Sequence, residues 1–221
     1  KDINTWLNKV SIESEFKNGL RVTTKETLEV AEMVLSGKLN KGLVQHMERI
    51  GTHAVGLSGK DGNMLTVEKH FSKGEDIGWV GKITAVDTDL IETLLMNGYT
   101  PIISTIGLDE KYNAYNINAD DVATAIARAL KASKLVFLTD IEGVLKDPND
   151  PKTLISKINT ASAKVLFESG IIQGGMIPKL QNCIDAVQND VNKVHILDGR
   201  MEHSLLVEIF TTNGVGTEIK K

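Results

Sequence analysis

Cysteine is nearly missing: Cys183 is the single one in 221 residues, so no disulfide can form within the chain and a disulfide-stapled scaffold is excluded. Histidine is sparse too. His46, His53, His70, His195 and His203 show no metal-ligand spacing, and no Ser/His/Asp or Cys/His arrangement can be assembled from their order. Neither a metal ligand nor a nucleophilic side chain can be assigned. An uninterrupted apolar stretch of about 18 residues, a charged-then-apolar leader and a Gly-x-x-x-x-Gly-Lys-Ser/Thr phosphate loop are all lacking. The chain reads as soluble and cytoplasmic, with no membrane partner. Basic charge is not concentrated either: 25 Lys plus Arg stand against 29 Asp plus Glu, a net charge of -4, and they are scattered. A nucleic-acid groove is excluded on that ground. An anionic ligand must be held by a local group of cations, since the field of the whole chain does not attract it.

Hydrophobic residues at 41% and charged residues at 24% are ordinary globular usage, enough for one large domain with a real core. Helical and strand patterns alternate throughout, which predicts α/β architecture. Ile3, Trp6, Leu7 and Val10 open the chain with helical spacing. Thr23-Thr24-Lys25-Glu26 offers a capping box before a helix over about 25–36. The apolar runs 54–57 and 64–67 flank Gly59-Lys60-Asp61-Gly62-Asn63, predicting a β-hairpin. A helix carrying Leu90, Ile91, Leu94 and Leu95 stops at Asn97-Gly98, and a strand follows from Pro101. Asn118 caps a helix over 119–131, and Leu135-Val136-Phe137-Leu138 reads as a strand buried on both faces. Helices near 161–168 and 178–187 and a strand at 194–197 come next. The segments 205–211 and 217–220 read as a closing hairpin.

Chemistry concentrates in a few places. The turn Thr139-Asp140-Ile141-Glu142-Gly143 follows a strand, where open α/β sheets bind ligands, although it also suits a plain strand-to-loop turn. In Gly174-Gly175-Met176-Ile177-Pro178-Lys179, two glycines let backbone N–H groups approach a ligand at a helix start, and Lys179 can reach a phosphate held there. A solvated lysine after a glycine-rich loop is the plainer alternative. Asn116 and Asn118 offer amides that donate to a carboxylate, and Asp120 can hold an ammonium group; helix capping accounts for Asn118 but hardly for Asn116. Arg21, just before a helix cap, can clamp a carboxylate by two points.

Six segments together, 16–23, 55–62, 116–120, 138–144, 174–179 and 195–200, resemble the amino acid kinase family. Within it they are most similar to members that phosphorylate the γ-carboxylate of N-acetyl-L-glutamate in arginine biosynthesis. The resemblance implies a three-layer αβα sandwich around a mainly parallel central sheet, as a single domain with an amino-acid-substrate half over about 1–115 and an ATP half over about 116–221. Arg21, Asn116 and Asn118 would hold N-acetyl-L-glutamate. Asp140, Gly143, Val144 and Leu145, with Gly174, Gly175 and Met176, would line the ATP site. Lys179 would neutralise the phosphates, Asp120 would orient the catalytic lysines, and Mg2+ would be held mainly through the nucleotide. Such a reaction needs no general base, because a side-chain carboxylate is ionised at neutral pH and is itself the nucleophile.

The family's opening strand with Lys-x-Gly-Gly and its His-Gly-Gly-Gly-Pro loop are not in this sequence. The chain starts at Lys1, so it reads as lacking an N-terminal segment and its strands. These 221 residues alone are expected to turn over negligibly, and the parent protein to be active. Residues 203–217 resemble the segment that contacts arginine in feedback-inhibited members, with Glu208, Gly214 and Gly216 at the effector. A homodimer or homohexamer is implied. The competing readings are another amino acid kinase, or a non-catalytic arginine- or partner-binding module of the same fold.

Overall fold

A computed structural model describes residues 2–17, 20–147, 149–212 and 214–221. Its contacts divide the chain into two compact units, Lys1–Val122 and Ala123–Lys221.

In the first unit α1 (Asp2–Lys9) buries Leu7 against Val30 and Val34. A short antiparallel pair, β1 (Phe16–Lys17) and β2 (Leu20–Arg21), leads to Thr24, whose hydroxyl accepts the Thr27 N–H at 3.1 Å and starts α2 (Lys25–Glu32). The helix expected to stop near 36 continues instead through a widened π-helical turn, Met33–Leu39, into α3 (Asn40–Arg49). Two polar side chains fix this wider stretch. Ser36 bonds the Ser104 hydroxyl at 2.7 Å, and buried Asn40 donates to the carbonyls of Leu57 and Ile102. Those carbonyls lie on β3 (Ala54–Ser58) and β6 (Thr100–Ser104), which pair in parallel.

The hairpin expected over 54–67 does not form, because β3 takes β6 as its partner. The Asp61–Gly62 turn is present, with Gly62 at φ 62°, but Asp61 accepts the Ser58 N–H at 2.7 Å and so turns the chain out of the β3 plane. The second run becomes β4 (Leu65–Ser72), which joins β5 (Glu75–Val86), β8 (Ala114–Ile117) and β7 (Ile106–Leu108) in a closed four-stranded barrel. Within β5, Gly78 at φ 79° is packed so tightly against the Thr23 carbonyl that no side chain fits. Thr23 exchanges backbone hydrogen bonds with Ile77 and Trp79, which fixes the neighbouring Arg21 beside the barrel. As expected, α4 (Asp89–Met96) ends at Asn97-Gly98, and α5 (Ala119–Ala129) begins after Asn118.

The second unit is built on a four-stranded sheet of β9 (Leu135–Thr139), β10 (Lys157–Asn159), β11 (Val194–Asp198) and β12 (Thr217–Lys220), in the order β10-β12-β11-β9. The β9–β11 and β10–β12 pairs are parallel and β11–β12 is antiparallel. Ile158, Leu180, Cys183, Val187, Ile196 and Ile219 fill its core. In α6 (Thr160–Glu168), Asn159 and Ser162 form a reciprocal capping box; α7 is Met176–Gln188. The strand expected to be buried on both faces lies outermost in this sheet, and Leu138 is 58% exposed. The closing hairpin is also replaced: 204–210 forms α8 (Ser204–Phe210), since helical spacing puts Ser204 and Glu208 together on the buried side. β12 then inserts between β10 and β11. Among the described residues no helix is long and apolar enough to cross a membrane.

Thr217 ties this sheet to the loop after β9. Its buried hydroxyl accepts the Val144 N–H at 2.9 Å and donates to the Ile155 carbonyl at 2.8 Å. Thr217→Val keeps the shape but strands both groups, so the protein is expected to lose about 1–3 kcal/mol of stability. Chemical denaturation measures this, and a loss below about 0.5 kcal/mol would show the two bonds to be unimportant.

Candidate functional site

β9 and β11 run side by side with Thr139 opposite Asp198, so the two chains leave the sheet together. The Gly199 N–H donates to the Thr139 carbonyl at 2.8 Å and closes the gap between the two turns. Beyond these carboxyl ends lies a cleft of about 460 Å³, placed where α/β sheets bind ligands. Asp140, Gly143, Leu145, Gly175, Met176 and Lys179 all line it, as do Glu142 and Arg200. Gly143, at φ 150°, has no room for a side chain, because a Cβ would stand 2.6 Å from the Thr217 hydroxyl. Val144 is buried beneath the cleft, and Gly174 is not among its lining residues. Both serve the loops that shape it.

The helix α7 starts two residues earlier than the sequence predicts. Its first N–H groups are already engaged: Met176 donates to the Gln173 carbonyl and Ile177 to that of Gly174, both at 3.2 Å. These two amides therefore close the loop, and the lysine is the group of this segment with charge to offer a ligand. Lys179 Nζ sits 5.2 Å from the centre of the Phe137 ring, within range of a cation–π contact. Arg200 faces the cleft from the far turn, held by a two-point bond from its Nε and Nη2 to Asp198 at 2.9 and 2.8 Å. Hydrogen bonding and the nearby charge of Asp198 raise the Arg200 pKa, and the same bonds lower that of Asp198. Arg200 is not singled out by the sequence; its local signal is an arginine two residues after an aspartate at the end of a strand.

The first unit holds the other candidates. Arg21 lies on β2 with its guanidinium 4.6 Å over the Phe16 ring; it donates to Ser14 at 3.1 Å and to Asn4. Burial lowers its pKa. Asn116 lies in β8, where it pairs with Val80 and Ile106. The Asn118 side-chain oxygen accepts the Asp120 N–H at 2.9 Å and the Asp121 N–H at 3.3 Å, so it caps α5. Asp120 stands in the first turn of that helix. Asn18 and Gly19, within the segment before Arg21, lie outside the described residues. Among the described residues no three His, Cys, Asp or Glu side chains are grouped to hold a metal ion.

A second cavity of the Ala123–Lys221 unit, of about 270 Å³, is lined by Lys134, Lys193, His195, Glu208, Gly214 and Glu218 among others. Glu208 is buried with three donors: His195 Nδ1 at 2.7 Å, Val215 N–H at 2.8 Å and Gly216 N–H at 3.0 Å. Gly214 packs against that carboxylate and Gly216 against the Ile196 carbonyl, each too closely for a side chain.

Fold and cleft together define an α/β protein with a cation-bearing cleft at the carboxyl ends of adjacent parallel strands. The amino acid kinase family model matches residues 3–198, and the chain belongs to that family. The acetylglutamate kinase of Brachyspira hyodysenteriae is 52% identical over 222 residues, covering 100% of this chain and 76% of that protein. Among solved structures, smu.665 from Streptococcus mutans superposes with a TM-score of 0.81 at 27% identity, covering 99% of this chain and 82% of its own. The N-acetylglutamate synthase from Neisseria gonorrhoeae, complexed with coenzyme A and N-acetyl-glutamate, gives a TM-score of 0.80 at 26% identity over 99% of this chain and 49% of that one.

Burial raises the Glu208 carboxyl pKa, but the His195 bond and the two backbone N–H groups outweigh it, leaving the pKa below the ordinary 4.5. A carboxyl whose folded pKa is lowered stabilises the fold above its unfolded pKa, and that contribution is lost as pH falls through the folded value. Urea melts should therefore show wild-type stability dropping more steeply below pH 4.5 than that of Glu208→Gln. At neutral pH the variant should be about 1–3 kcal/mol less stable. Parallel pH profiles would mean that the carboxylate charge contributes nothing.

Proposed function

We propose that the protein transfers the γ-phosphoryl group of ATP to the γ-carboxylate of N-acetyl-L-glutamate, a step of arginine biosynthesis. What supports it most is 52% identity along the whole chain to an acetylglutamate kinase. The cleft that gathers Asp140, Gly143, Leu145, Met176 and Lys179 agrees with it. The nucleotide occupies this cleft in the ATP half, and Arg21 and Asn116 in the amino-acid half hold the carboxylates and acetylamino group of the acceptor.

An ionised carboxylate attacks directly, so no side chain has to remove a proton. What the protein supplies is alignment of the attacking oxygen with the transferred phosphorus, and positive charge against the negative charge of the transferring group. Lys179 provides that charge, and Asp120 is the carboxylate suited to hold an ammonium group. Mg2+, held mainly through the nucleotide phosphates, would add charge neutralisation there.

The polar cavity around Glu208 suggests a second role, as a site for arginine as a feedback effector. It shares no lining residue with the cleft. Three donors already address Glu208, and a carboxylate accepts about four, so one position on Oε1 is left for a guanidinium.

ATP-dependent phosphorylation by the protein, assayed with N-acetylglutamate, glutamate, aspartate and carbamate, tests the main assignment. N-acetylglutamate should be preferred, and Lys179→Ala should lower kcat about 10²- to 10³-fold. Preference for another acceptor, or a Lys179→Ala variant with wild-type kcat, would overturn it.

A further inference from the structure

We propose that Arg200, clamped by Asp198, supplies the charge that lets a polyphosphate bind in the cleft, so that it sets affinity in proportion to the negative charge of the ligand. This rests on the assignment of the cleft to a nucleotide.

The first ground is placement. Asp198 pairs with Thr139 across β11 and β9, and the Gly199 N–H bonds the Thr139 carbonyl. Arg200 and Asp140 therefore emerge next to each other, and both line the cleft. The second is charge balance. The ionisable groups lining the cleft are Asp140, Glu142, Lys179 and Arg200. Asp198 offsets part of the Arg200 charge, so positive charge is already short here; without Arg200 three carboxylates, Asp140, Glu142 and Asp198, face one ammonium group, and a nucleotide polyphosphate is repelled more strongly. The fields of Asp140 and Glu142 reach Arg200 and favour its charged form.

The third ground is pre-organisation. The Nε/Nη2 edge of the guanidinium is spent on Asp198, and the Arg200 N–H donates to the same carboxylate at 2.8 Å. A guanidinium is planar, so fixing one edge fixes the direction in which the Nη1 donors point. An arginine whose purpose is stability would be poorly placed here. Its side chain is 64% exposed, and ion pairs so exposed contribute little to folding.

Dissociation constants for adenosine, ADP and ATP, measured with Mg2+ present, separate the possibilities. Arg200→Gln should weaken ATP about tenfold, ADP less, and adenosine less than about twofold, with the loss shrinking as salt is added. Arg200→Lys, which keeps the charge without the two-point clamp, should restore only part of the ATP affinity, between that of Arg200→Gln and wild type. Equal weakening of all three ligands would make Arg200 a packing residue and overturn the proposal. Unchanged ATP affinity in Arg200→Gln, with wild type binding ATP normally, would overturn it while leaving the nucleotide assignment standing. Wild type binding no nucleotide would remove both.

Discussion

The parallel pairing of Leu135–Thr139 with Val194–Asp198 is the constraint on which the C-terminal unit depends. Parallel strands end at the same side of a sheet, so the turns that follow them must lie together. Those turns carry Asp140 and Arg200, the helix α7 brings Lys179 to the same place, and the result is the cleft. A shift of one residue in this register would reverse which side chains face the core. Phe137 would then lose its place and Leu138 would be buried in its stead.

Buried polar groups hold the loops around this frame. Thr217 bridges the loop after β9 to Ile155, Glu208 gathers His195 with the 215–216 backbone, and Asn40 joins β3 to β6 in the other unit. Apolar packing is non-directional and would allow these loops to slide. A hydrogen bond in a dry interior fixes distance and direction, and breaking it leaves a polar group without a partner. The glycines at 143 and 216 belong to the same device, since each lets a backbone segment approach a partner too closely for any side chain.

Phosphoryl transfer to a carboxylate asks for little covalent chemistry from a protein. What such a reaction needs is positive charge at a fixed place, and Lys179 and Arg200 are the cations that line the cleft. In a chain of net charge -4, such cations have to be held locally.

Local signals in the sequence determined much of this protein. Caps and apolar periodicity located α4, α5 and α6, the short apolar runs located β9 and β11, and the residue types after them marked Asp140, Gly143 and Lys179. All of these depend on neighbours within a few positions. The partner of β3, the helical state of 204–210, the outer position of β9 and the place of Arg200 at the cleft were decided only by tertiary structure. The run 204–210, apolar except for Ser204 and Glu208, satisfies strand and helix alike. Arg200 and Asp140, distant in the chain, line the same cleft only because β9 and β11 pair. Short-range preference is written in the order of residues, whereas the choice between pairings of similar local energy is made by what the folded core can bury.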